Sequence, residues 1–137
     1  MDKPLVSHVG IAVADLDAAM ERYSSMLGEK PGLIKNVPEM GVRVAVFEGA
    51  NPGGGHVELL APVTPDNSIA RFIEKRGEGL HHICINVDDI DSALADYKAK
   101  GYRLIDEQPR VGAMGHRIAF VHPTTSFGVL IELEEQH

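Results

Sequence analysis

The sequence predicts an α+β fold made of two tandem β-α-β-β-β modules, and three observations support that prediction. A single offset of 74 residues lays three separated stretches of the chain on three others. Each copy opens with alternating apolar residues and passes, behind an aspartate, into a helical period. One helix covers only one face of a four-stranded sheet, so each module needs the other to cover its second face.

The repeat is clearest between "HVGIAVADLDAAMERY" (8–23) and "HICINVDDIDSALADY" (82–97), where seven of sixteen positions are identical. Ordinary composition would give roughly one match by chance. The pairs are His8/His82, Ile11/Ile85, Val13/Val87, Asp15/Asp89, Asp17/Asp91, Ala19/Ala93 and Tyr23/Tyr97. The same offset aligns "MGVRVAVF" (40–47) with "MGHRIAFV" (114–121), and "VELL" (57–60) with "IELE" (131–134), which equates Glu58 with Glu132.

Module one spans about 4–63. Val9, Ile11 and Val13 alternate as a strand, and Leu16, Ala19, Met20, Tyr23 and Leu27 form a helical stripe that stops at Gly28. Strand patterns follow at 33–37, 42–48 and 56–61, with "NPGGGH" (51–56) as the hairpin turn before the last. "DNSIARFIEKRG" (66–77) predicts a short linking helix ended by glycine. Module two, about 79–135, repeats the plan: Ile83, Ile85 and Val87 in a strand, then Ile90, Ala93, Leu94 and Tyr97 in a helix stopped at Gly101. Its remaining strands are expected at 103–106, 116–121 and 128–133.

Bulk properties narrow the function. The length of 137 residues, with 44% apolar and 24% charged side chains, suits one soluble globular domain. A net charge of −7 argues against nucleic acid as a partner. No apolar run approaches the ~20 residues of a membrane span, and the N-terminus lacks a signal-peptide layout. The single cysteine, Cys84, suits a reducing compartment, so a cytoplasmic location is expected.

Strand alternation sorts the two adjacent histidines of "GLHHICINV", because neighbouring residues point to opposite faces. His82 falls on the face opposite Ile83, Ile85 and Val87, together with Cys84 and Asn86. His8 shares its face with the small residues Gly10 and Ala12. Glu58 and Glu132 likewise stand opposite their apolar neighbours. Two histidines and two glutamates in repeat-equivalent positions thus point into one uncovered face, and that donor set suits a divalent metal. Any one of the four alone would read as an ordinary strand residue; symmetry argues otherwise. His81, without a counterpart, is expected to pack on the outer face. His56, His116, His122 and His137 lack repeat partners and read as surface or loop residues, and Cys84 as a packed thiol.

The paired modules with metal-facing His and Glu resemble the vicinal oxygen chelate superfamily. Within it, "RGEGLHHICINVDDID", "RLIDEQPRVGAMGHRIAFVHP" and "GVLIEL" resemble the methylmalonyl-CoA epimerase family over nearly the whole chain. The resemblance implies an eight-stranded, incompletely closed barrel-like sheet around a metal ligated by His8, Glu58, His82 and Glu132. It implies a divalent ion, cobalt first, with zinc, nickel, manganese or magnesium as alternatives. Many family members carry Gln where this chain has Glu58, which makes the site here more anionic. Glu39 of "VPEMG" matches the family's catalytic motif, although its repeat mate is Ala113 and symmetry alone would not select it. Met40 beside it replaces a Gln common in the family.

The implied reaction is epimerisation at C2 of methylmalonyl-CoA through an enolate. Glu39 and Glu132 would stand on opposite sides of C2, and Glu132 would also reach the metal. The implied partners are a CoA thioester substrate and a second copy of the chain in a homodimer. A glyoxalase I-like isomerase of glutathione hemithioacetals is the main rival, because it shares the ligand set. A ring-cleaving dioxygenase would use two His and one carboxylate, and a drug-sequestering module no metal; four intact ligand candidates count against both.

Overall fold

The computed structural model describes residues 4–49 and 54–136. It divides into two compact units: residues 8–81, and residues 82–137 together with those preceding His8. Its three α-helices and eight strands bear out the α+β class and the β-α-β-β-β plan of each copy.

The first unit runs β1 (Leu5–Ala12, entering the unit at His8), α1 (Leu16–Leu27), β2 (Leu33–Val37), a 3-10 turn (Pro38–Met40), β3 (Val42–Phe47), β4 (His56–Pro62) and α2 (Ser68–Arg76). Its strand order is β2-β3-β4-β1. The first three strands form an antiparallel meander, and β1 lies parallel to β4 with Ile11 opposite Leu59. The Asp15 side chain accepts the Ala18 N–H to open α1, and Gly28 closes it at φ 71°, a left-handed turn that glycine adopts without penalty. Leu16, Ala19, Met20 and Tyr23 of α1 then pack on Phe47, Leu59 and Ala61. Half of the expected turn over 51–56, residues 51–53, lies outside the described residues; the strands it joins pair antiparallel. The helix expected as a link, α2, packs against β4 and so completes the first unit.

The second unit takes in the bulk of β5 (Gly79–Val87), then α3 (Ile90–Ala99), β6 (Arg110–Val111), β7 (Arg117–Val121), a 3-10 turn (Pro123–Ser126) and β8 (Leu130–Glu135), in the order β5-β8-β7-β6. Its core repeats the first residue by residue: Ile90 and Leu94 of α3 pack with Ala119, Val121 and Leu133, where the first unit has Leu16, Met20, Ala45, Phe47 and Leu59. Asp89 caps α3 as Asp15 caps α1.

One expected strand fails. Residues 103–106 contribute only an isolated bridge from Leu104 to Val121, and the edge strand is the two-residue β6. Asp106 explains the break: its carboxylate accepts the Phe120 N–H at 2.8 Å, occupying the donor that a neighbouring strand would use. The N–H groups of Ile105 and Asp106 both turn onto the Phe120 carbonyl, and Pro109 has no N–H to offer a ladder. The repeat offset applied to β2 would have placed this strand at 107–111, where β6 lies.

Candidate functional site

Each unit builds half of the candidate ligand set on two neighbouring parallel strands. In the first, β1 presents His8 and β4 presents Glu58; the carboxylate registers beside Gly10, two residues past the histidine. His8 Nε2 stands 3.5 Å from Glu58 Oε2. In the second unit, β5 presents His82 and β8 presents Glu132, which registers beside Cys84, again two residues past its histidine. His82 Nε2 stands 3.3 Å from Glu132 Oε1. The two pairs are copies in register as well as in residue type. The apolar members of the same strands (Ile11, Val57 and Leu59; Ile85, Ile131 and Leu133) lie under the helices, so alternation sets the donors on the helix-free face.

The electrostatics suit ligation. None of the four side chains is more than 15% exposed. Burial, with a smaller contribution from the nearby His56, holds the His8 pKa down at about 4. His8 is therefore neutral at physiological pH, the state in which an imidazole binds metal. Nitrogen–oxygen separations of 3.3 and 3.5 Å exceed those of good hydrogen bonds. They match the roughly 3–3.5 Å between neighbouring ligand atoms each about 2.1 Å from one ion.

Other expectations separate cleanly. His81 packs edge-on against Phe72 of α2, ring centroids 4.9 Å apart, as its outer-face assignment requires. Burial lowers its pKa as well. Cys84 is in no disulfide and has no exposed surface. His122 accepts the Thr124 N–H and caps a 3-10 turn. His137 lies outside the described residues. His56 sits directly opposite His8 on β4, on the same face as Glu58. The signal was available, because His56 is two residues before Glu58 in an alternating strand.

Glu39 is not gathered into either His–Glu pair. It occupies the middle of the exposed 3-10 turn between β2 and β3 and has no hydrogen bond or ion pair among the described residues. Its turn is nevertheless fixed. Gly41 ends it at φ 67°, donating its N–H to the Pro38 carbonyl at 3.1 Å. The Gly41 carbonyl in turn accepts the Val63 N–H and the Asn67 amide, each at 2.8 Å.

Residues 7–120 match the family model of the glyoxalase/bleomycin resistance protein/dioxygenase superfamily. The mitochondrial methylmalonyl-CoA epimerase of Homo sapiens is 43% identical over 131 residues, covering 95% of this chain and 73% of that protein. An ethylmalonyl-CoA/methylmalonyl-CoA epimerase of Cereibacter sphaeroides is 39% identical over 132 residues, 95% of this chain and 96% of that one. Among solved structures, a methylmalonyl-CoA epimerase in complex with methylmalonyl-CoA and an ammonium ion superposes with a TM-score of 0.86. It shares 36% identity, covering 98% of this chain and 96% of that chain.

Proposed function

The chain belongs to the glyoxalase/bleomycin resistance protein/dioxygenase superfamily and, within it, to the methylmalonyl-CoA epimerases, and from that premise we propose how its residues divide the work. Its reaction is interconversion of the C2 epimers of methylmalonyl-CoA. Both units act as a single functional domain. His8, Glu58, His82 and Glu132 together hold one divalent cation, cobalt first, with zinc, nickel, manganese and magnesium as alternatives. When bound, the cation supplies Lewis-acid stabilisation of the negative charge that develops on the thioester oxygen.

The remaining chemistry falls to the chain's own carboxylates. The C2 proton is acidified by the thioester carbonyl, and inversion requires removal on one face and return on the other. Glu39 takes or returns it on one face and Glu132 does so on the opposite face, exchanging roles with the direction of reaction. The observation carrying this division is an asymmetry: the His–Glu pair is built twice, whereas Glu39 has only Ala113 as its repeat mate. A cation needs donors from both copies, and a second proton carrier is needed at one spot only.

The protein acts as a homodimer in the cytoplasm on this reading. Support comes from the single, buried cysteine, which leaves the chain no internal disulfide and suits a reducing compartment, and from the apolar side chains Leu5, Val6, Leu33 and Ile34 left exposed on β1 and β2. No helix among the described residues is long and apolar enough to cross a membrane. Sedimentation of the purified chain checks the dimer.

The direct test incubates metal-loaded protein with methylmalonyl-CoA in D₂O and follows deuterium entry and configuration at C2. Exchange with inversion is expected. Turnover of the methylglyoxal–glutathione hemithioacetal in its place would transfer the reading to a glyoxalase I-like isomerase.

A further inference from the structure

The two units differ in how they hold the turn that precedes their third strand. In the second unit that turn carries Ala113 and ends at Gly115, whose φ is 84°; a Cβ built there would meet nothing within 4 Å. In the first unit it carries Glu39 and ends at Gly41, where a Cβ would strike Thr64 Oγ1 at 2.8 Å and Asn67 Nδ2 at 2.9 Å. The Glu39 turn is therefore pressed against the loop between β4 and α2, and only glycine permits the approach.

Asn67 makes that contact specific. Its Nδ2 donates to the Gly41 carbonyl at 2.8 Å and lies 3.0 and 2.9 Å from the Thr64 carbonyl and hydroxyl oxygens. Its Oδ1 accepts the Ala70 N–H at 2.9 Å, which caps α2. One side chain thus ties the start of a helix to the end of a catalytic turn.

We propose that Asn67 is a positioning residue: its Nδ2 clamp on Gly41 fixes the Glu39 turn so that the carboxylate addresses C2 of the substrate. The inference rests on the reading of Glu39 as a proton carrier. Without the clamp, the Gly41 carbonyl loses its tie to the loop before α2 and keeps the Val63 N–H, and Glu39 spends less time in the productive geometry. Proton transfer is steeply sensitive to such placement.

The helix cap and the clamp use different atoms of Asn67, which makes them separable. Asn67→Asp retains an oxygen for the Ala70 N–H but has no Nδ2 donor, and Asn67→Ser is a second variant of the same kind. Asn67→Ala loses both. The readouts, on metal-loaded full-length protein, are kcat and KM for methylmalonyl-CoA, metal content, Tm, and the rate at which each C2 epimer exchanges its proton with D₂O. Asn67→Asp and Asn67→Ser should lower kcat about ten- to a hundredfold, leaving KM, metal content and Tm essentially unchanged. The slowed exchange should be confined to one epimer, the same one slowed by Glu39→Gln, and neither change should further slow the Glu39→Gln protein.

If Glu39→Gln is impaired while both Asn67 variants keep full kcat, the clamp inference is wrong and the role of Glu39 stands. Full activity of Glu39→Gln would overturn that role and the inference with it. Equal slowing of both epimers, with a lowered Tm, would reduce Asn67 to a structural cap.

Discussion

Each unit has its own four strands, a capped helix and a His–Glu pair, and the two differ at a few repeat-equivalent positions. Gly10 stands beside Glu58 where Cys84 stands beside Glu132. Glu39, on a turn whose Gly41 carbonyl accepts the Asn67 amide, corresponds to Ala113, on a turn whose Gly115 faces open space. Ala61 corresponds to Glu135, and Leu60 to Glu134. On the proposed division of work, what is duplicated serves the core and the donor set, and what is single serves proton transfer or local electrostatics. A repeat therefore identifies the scaffold of a site better than its chemistry.

The Ala61/Glu135 difference shows how one residue redirects a helix terminus. Each unit has an aspartate in the first turn of its helix bound to an arginine of its third strand. The contacts are Asp17 to Arg43 at 3.3 Å and Asp91 to Arg117 at 2.8 Å. In the second unit Glu135 adds a buried carboxylate that accepts the Ile90 N–H at 3.1 Å and lies 3.3 Å from Arg117. In the first unit, where Ala61 stands in its place, an open surface pocket of about 360 Å³ is lined by residues that include Leu16, Asp17, Arg43 and Ala61. Glu135 stands in the second unit where that space is open in the first.

The largest expected effect breaks the asymmetry of the proton carriers. Glu39→Gln should retain metal and bind substrate, yet epimerise about 10²–10⁴-fold more slowly. Ala113→Glu in that background should restore nothing, because its turn lies in the other unit. Glu132→Gln should differ from Glu39→Gln by weakening metal binding as well. Steady-state kinetics with metal analysis checks all three, and an unimpaired Glu39→Gln protein would dismiss the two-carboxylate mechanism.

The symmetric part is probed by metal content. His82→Ala should abolish stoichiometric binding of the cation, and His8→Ala should do the same. His81→Ala should leave binding intact, since that ring packs on Phe72. Equilibrium dialysis giving the reverse order for His81 and His82 would invert the assignment of strand faces.

A smaller effect sharpens the comparison of helix termini. Glu135→Ala strands the Ile90 N–H and removes one of the two carboxylates on Arg117, at a cost of about 1–3 kcal/mol in denaturant unfolding. Ala61→Glu should move the first unit toward the second, gaining up to about 1 kcal/mol as the new carboxylate meets Arg43 and the start of α1. A destabilised Ala61→Glu protein would show that the cavity cannot admit a carboxylate.

Cys84→Ala tests whether the larger neighbour of Glu132 is chemical or steric. Activity should stay within a few-fold, with a stability cost of about 1 kcal/mol where the site relaxes well. A loss beyond about a hundredfold in folded, metal-loaded protein would give the thiol a chemical role, since packing changes of this size cost only a few kcal/mol at most.

The smallest effect concerns Glu134, whose pKa is raised by burial, with His116 opposing. A carboxyl with a raised folded pKa binds protons more tightly in the native state, so it stabilises at low pH and loses that contribution as pH rises through the folded pKa. Glu134→Gln should therefore raise Tm by less than about 3 °C at neutral pH, and the gain should vanish below the ordinary carboxylate range. A gain independent of pH would assign the effect to packing.

Much of this was legible in the chain itself. The offset of 74, the alternation around His8 and His82, and the Asp–helix–Gly punctuation placed the strands and helices that carry these residues. Those signals are local, or are copies of local ones, and survive without knowledge of what touches what. The resemblance of "VPEMG" to a family motif selected Glu39, which periodicity could not.

Tertiary structure decided the rest, through side chains that satisfy backbone groups far away in sequence. Asp106 reaches Phe120 and breaks the expected strand. Glu135 continues the alternation of Ile131 and Leu133 onto the helix-covered face, where Ile90 N–H and Arg117 meet its carboxylate and offset its burial. Asn67 reaches Gly41 across 26 residues. Such bonds have no period and no fixed spacing, because each depends on where two elements come to rest. A sequence displays which face a residue occupies, whereas the partner waiting on that face exists only once the chain has folded.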